Sequence, residues 1–162
     1  MRFLVAPLAL LLLAGCGLSP MYAGGGSGAV AQGLAAIDVP AIEGRAGWLV
    51  RNALNDRLGA AGGATSRYRL DVRLDDRLEG LGVLNDETIG RERRTLRARY
   101  QLVDLASGEI VLDATAGADA GIDVVSSEYA TIAAEQTALE NLAREVADRM
   151  VTQISLTLRE GP

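Results

Sequence analysis

The stretch Ile110-Val-Leu-Asp-Ala-Thr-Ala-Gly-Ala-Asp-Ala-Gly-Ile-Asp-Val124 alternates along its whole length. Ile110, Leu112, Ala114, Ala116, Ala118, Ala120, Ile122 and Val124 share one parity, and Asp113, Thr115, Asp119 and Asp123 the other. Period two is the signature of a strand with one buried face. The alanine row on that face leaves room for a helix to approach closely.

Working outward, Asp104 to Glu109, centred on Ser107-Gly108, reads as a tight hairpin turn. Before it lies a second strand, with Leu96, Ala98, Tyr100 and Leu102 inward and Arg91, Arg93, Arg97, Arg99 and Gln101 outward. A loop with Gly80, Gly82, Asn85 and Asp86 separates it from a first strand. There Tyr68, Leu70, Val72 and Leu74 face one way, and Arg67, Arg69, Asp71, Arg73 and Asp75 the other. After the quoted stretch, Ser126 or Ser127 can cap a long helix with Glu128 in its first turn. Ile132, Leu139, Leu142, Val146, Met150, Ile154 and Leu158 form its apolar stripe. Upstream, Val50, Leu54 and Leu58 recur every four residues in a helix from Trp48 that Gly59 to Gly63 ends, preceded by a short candidate strand, Ile37 to Ile42, containing Pro40. The expected fold is α/β (α+β), a two-layer sandwich with a mixed four-stranded sheet and two helices packed on one face. Trp48 and Tyr100 are expected in the core.

The N-terminus is a secretion signal by pattern: Arg2, an apolar run from Phe3 to Leu13, then Leu13-Ala14-Gly15-Cys16. As a helix the run spans under about 20 Å, too short for a bilayer core of roughly 30 Å. The ending is similar to a bacterial lipobox, which makes Cys16 the acylated first residue of the mature chain. An ordinary signal peptide or an uncleaved short anchor are the competing readings; Cys16 is the chain's single cysteine, which favours lipidation. Residues 1–15 are thus read as signal, 16–33 as a lipidated, glycine-rich tether, and 34–162 as one α/β domain.

Composition excludes most catalytic chemistry. The chain has no histidine, and its sixteen basic residues are all arginine, against twenty-one acidic ones. Without histidine, lysine or a free thiol there is no Ser-His-Asp triad, Cys-His pair, Schiff base or His/Cys zinc site. No catalytic residue, metal ligand or cofactor is assigned beyond the covalent lipid on Cys16. The net charge of -5 becomes -6 once Arg2 leaves with the signal, which argues against nucleic acid as a partner.

Several segments, in this order and spacing, carry a resemblance: Cys16-Gly17-Leu18-Ser19-Pro20-Met21-Tyr22, Tyr68-Arg-Leu-Asp-Val-Arg-Leu74, Arg97-Ala-Arg-Tyr-Gln-Leu-Val-Asp-Leu105 before Ser107-Gly108, and Tyr129-Ala130 opening an alanine-rich helix. Together they resemble the LPS-assembly lipoprotein family LptE in its alphaproteobacterial form. The resemblance implies an outer-membrane lipoprotein on the periplasmic side that plugs and helps assemble the LptD β-barrel of the LPS translocon and binds lipopolysaccharide. Glycine after Cys16 agrees with outer-membrane sorting as enteric bacteria practise it. An auxiliary lipoprotein of an ABC-type lipid transporter is the alternative, and an enzyme with a carboxylate-only or arginine-assisted mechanism a third class.

The candidate ligand-binding residues are Arg91, Arg93, Arg97 and Arg99, four guanidiniums of one parity on one strand. Arginine forks bind phosphate bidentately. The competing reading is that Asp71, Asp75, Asp113, Asp119 and Asp123 on neighbouring strands consume them in cross-strand ion pairs. Asp75 and Asp76 point to opposite faces if the strand continues, so a strand end near Asp76 is expected. Asp86-Glu87 lacks the spaced ligand set of a known calcium loop.

Overall fold

Strand alternation and helical stripes become three long strands beneath one long helix. The computed structural model describes residues 28–59, 66–81 and 90–160. The elements run α1 (Ala29–Ala35), β1 (Ile37–Asp38), α2 (Gly44–Leu58), β2 (Tyr68–Gly80), β3 (Arg91–Asp104), β4 (Ile110–Asp123) and α3 (Glu128–Glu160). The sheet order is β1-β2-β3-β4, with β1 parallel to β2 and the other pairs antiparallel. This is the mixed four-stranded, two-layer α+β sandwich that the alternation predicts.

Even-numbered residues of the long strands face the helices. Leu70, Leu96, Ala98, Tyr100 and Leu102 are buried there with Leu142, Val146, Met150 and Ile154 of α3. Each fully buried leucine contributes about 1.5 to 3 kcal/mol. Val50, Ala53, Leu54 and Leu58 of α2 join the same core, and α2 packs chiefly on α3. The small residues Ala114, Ala116, Ala118 and Ala120 line the core side of β4, where α3 crosses.

Local chemistry sets the ends. Gly59, at φ 67°, terminates α2 in the left-handed conformation that glycine adopts without strain. The β3–β4 turn closes through the Gly108 N–H donating to the Asp104 carbonyl at 2.8 Å. The Ala106 N–H donates to Asp104 Oδ1 at 2.8 Å, and this bond is the main reason the Asp104 carboxyl sits below its ordinary pKa. Ser127, one of the two expected caps, accepts a bond from the Ala130 N–H at the start of α3.

Four expectations need correction. Residues 29–33, read as tether, lie in α1, whose Leu34 is buried and whose Gly33 backs onto Leu158 closely enough that a Cβ would meet its Cδ1 at 3.1 Å. The described architecture therefore has three helices. The strand expected from Ile37 to Ile42 stops at Asp38; Pro40 has no N–H to offer a ladder, and Arg51 Nε donates to the Val39 carbonyl at 2.9 Å instead. Trp48 is 62% exposed, because it lies two residues from Val50 and so on the far side of the helix from the buried stripe. Finally, β2 runs past Asp76 to Gly80. Asp76 is held on the helix side by Arg94, whose Nε and Nη2 donate to its two oxygens at 2.9 and 2.7 Å, while Arg94 Nη1 reaches the Glu135 carbonyl of α3 at 3.2 Å. Cys16, Tyr22, Gly82, Asn85, Asp86 and Glu87, with the signal and the rest of the tether up to 27, lie outside the described residues.

Candidate functional site: the arginine-bearing sheet face

Because the helices cover one face, odd-numbered side chains of β2, β3 and, from Asp113 onward, β4 form the opposite face. It carries Arg69, Arg73 and Arg77 from β2, and Arg91, Arg93, Arg97 and Arg99 from β3. Asp71, Asp75 and Glu79 of β2 and Asp113, Asp119 and Asp123 of β4 lie among them.

The four arginines expected to act together do share this face, in a row rather than a cluster. At about 3.4 Å per residue, Arg91 and Arg99 are roughly 27 Å apart along the strand. Two of them are engaged: Arg91 with Asp123 at 3.2 Å, and Arg99 with Asp113 at 3.1 Å. Arg99, then Gln101 at 2.8 Å, holds the Asp113 carboxyl below its usual pKa. On β2, Arg69 pairs with Asp71 and Arg77 with Asp75. The cross-strand ion pairs of the competing reading thus form at Arg91 and Arg99, whereas Arg73, Arg93 and Arg97 have no ion pair among the described residues.

Register explains where the unpaired charge collects. Arg73 stands opposite Arg99, and Arg97 lies between Asp75 and Gly117. A Cβ on Gly117 would come within 3.2 Å of Arg97 Cγ, so the missing side chain gives the Arg97 stem its place against β4. Around this point a groove of about 450 Å³ is lined by the three cations Arg73, Arg97 and Arg99, by the carboxylates Asp75 and Asp119 and by Thr115, among others. Exposed ion pairs contribute only about 0 to 1 kcal/mol, so Asp113 is a weak competitor for Arg99. A phosphate, with more charge and three acceptor oxygens, can draw on Arg97, Arg73 and Arg99 together.

Arg73 is the member that the sequence reading placed on the right face without assigning it a role. Its importance depends on the β2–β3 register, and the connection between those strands is too long to fix that. The described residues contain no group of three or more acidic or thiol side chains suited to a metal ion.

Comparison with known proteins agrees with this architecture. A lipoprotein of Caulobacter crescentus CB15 superposes with a TM-score of 0.69 at 28% identity, covering 82% of this chain and 97% of that one. A minor lipoprotein from Acinetobacter baumannii matches with a TM-score of 0.54 at 16% identity, over 74% of this chain and 88% of its own. Rare lipoprotein B from Shewanella oneidensis does so at 0.54 and 12% identity, over 76% and 95%. No curated protein matches the sequence. The family model described as "LptE: Lipopolysaccharide-assembly" matches residues 34–154, which take in all three long strands, α2 and most of α3. The chain belongs to the LptE family of lipopolysaccharide-assembly proteins.

Proposed function

We propose that this chain is a lipoprotein of the outer membrane's periplasmic side, anchored through acyl chains on Cys16, that plugs and helps assemble the LptD β-barrel and binds lipopolysaccharide during its delivery to the cell surface. The family match across the domain carries this reading. The lipoprotein character of the Caulobacter relative supports the anchor, and several acyl chains hold a protein to a bilayer where one does not. The open sheet face supplies the ligand chemistry: anionic lipid headgroups meet a row of arginines in which Arg73, Arg93 and Arg97 form no ion pair among the described residues, although Asp75 and Glu79 stand opposite Arg97 and Arg93 on the neighbouring strand. No bond-making step is assigned to any residue.

Replacing Arg93 and Arg97 together by glutamine tests the ligand half of this reading. Both carry charge without a partner carboxylate, so their loss costs the fold little. Exposed charge-assisted bonds contribute about 0.7 kcal/mol each, and two give about ten-fold in affinity. Binding to purified lipopolysaccharide should weaken by about that factor, and the difference should shrink as salt rises. Unchanged binding with an unchanged melting temperature would remove this face as the site.

A further inference from the structure

We infer that the free edge of β4 is a docking site for an extended strand of a partner protein, one carrying basic residues at alternate positions. In the sheet order β4 is terminal, and fourteen residues long. The Val124 N–H donates to the Gly90 carbonyl, so from Leu112 onward, beyond the register shift beside Leu102, even-numbered residues turn their backbone groups toward β3 and odd-numbered ones turn theirs outward. An independent contact agrees: Arg149 of α3 donates from Nη1 to the carbonyl of Gly117, an odd-numbered residue. Around that point the outward groups of Thr115, Asp119 and Gly121 form no hydrogen bond among the described residues. Such a row is a template for strand addition.

The side chains flanking this edge define the occupant. On the open face they are Asp113, Thr115, Asp119 and Asp123, interrupted by Gly117 and Gly121. Asp119 has no ion pair among the described residues, while Asp113 and Asp123 hold arginines from the β3 side only. Opposite charges directly across a strand pair stabilise it and like charges oppose it. A basic strand therefore fits, whereas a second copy of this chain would set acid row against acid row. Gly121, where an added Cβ would meet only Arg91 Nε at 3.9 Å, leaves space for a long side chain of such a partner, whereas the space at Gly117 is taken by the Arg97 stem. Arg149, with its side chain half exposed and also bonded to Glu145, occupies the middle of the edge and must swing away when the strand adds.

The probe is a labelled peptide of about nine residues alternating arginine with valine, titrated into the intact mature domain. Thr115→Pro removes one outward N–H while leaving every acidic charge and the pairing with β3 in place. It should weaken binding ten-fold or more, and Arg149→Ala should strengthen it several-fold. Peptide should also slow amide exchange at Thr115, Asp119 and Gly121. Equal binding by Thr115→Pro and the wild type would mean attraction to negative charge alone and overturn the inference. No binding by the wild type, or pairing of the domain with itself instead of the peptide, would do the same. If Thr115→Pro fails to fold, protection of those three amides in the wild type decides the matter.

Discussion

Gly47→Val should lower the stability of the domain by about 3 kcal/mol, the upper end of the usual cost of overpacking. A Cβ at Gly47 would lie 2.6 Å from the carbonyl carbon of Ile42 and 2.9 Å from its Cγ2, with the Ile42 carbonyl oxygen closer still. The obstacle is mostly backbone, so no rotamer change relieves it. The chain passes there from β1 into α2 with Gly44 at φ 78°, a second constraint on moving the turn. Denaturant midpoints should separate this variant from Asp56→Val on the exposed side of the same helix, which should cost under about 0.5 kcal/mol. Equal midpoints would mean that α2 does not enter against Ile42.

Arg94→Met should cost about 2 to 3 kcal/mol. Breaking a fully buried pair costs about 3 to 5 kcal/mol because a charge is left without its partner. The side chains of Arg94 and Asp76 are 16% and 25% exposed, which reduces that figure. The double variant Arg94→Met, Asp76→Leu should recover most of the loss, since it leaves no uncompensated charge between sheet and helix. A double variant no more stable than the single one would show that the third bond, from Arg94 to the Glu135 carbonyl, is what matters.

The fold class was legible because alternation is a strong signal when one face is buried. Leu112 to Ile122 and Leu96 to Leu102 place their apolar residues on the helix side, and the turn at Gly108 joins the two strands; the register shift between Leu102 and Val103 reverses the alternation at the start of the last strand, so that Ile110, expected inward, is 50% exposed and Val111 packs on the core instead. The β2–β3 pairing had no such clamp, and with it went the position of Arg73. The signal for Asp76 was present in a subtler form. Asp76 and Arg94 are charged residues of inward parity on neighbouring strands, and such a pair points to mutual satisfaction rather than to a strand end. The helix α1 was missed because Gly33 and the glycines before it suggested freedom, although Val30 and Leu34 are one turn apart and pack on the core. Ile132 belongs to the apolar stripe yet is 43% exposed, being placed in the first turns of a 33-residue helix. The arginine row was legible as a row; which of its members are neutralised depends on cross-strand geometry that sequence spacing does not contain.

Membership of the outer-membrane LPS translocon as a lipid-anchored plug is the function proposed above. Its most direct test is capture of the full-length, tagged protein from detergent-solubilised membranes, with bound proteins identified by mass. A large outer-membrane β-barrel is expected as the major partner, lost from the membrane fraction's complexes when Cys16→Ser removes the anchor. Recovery of an inner-membrane ATPase complex in its place would contradict it.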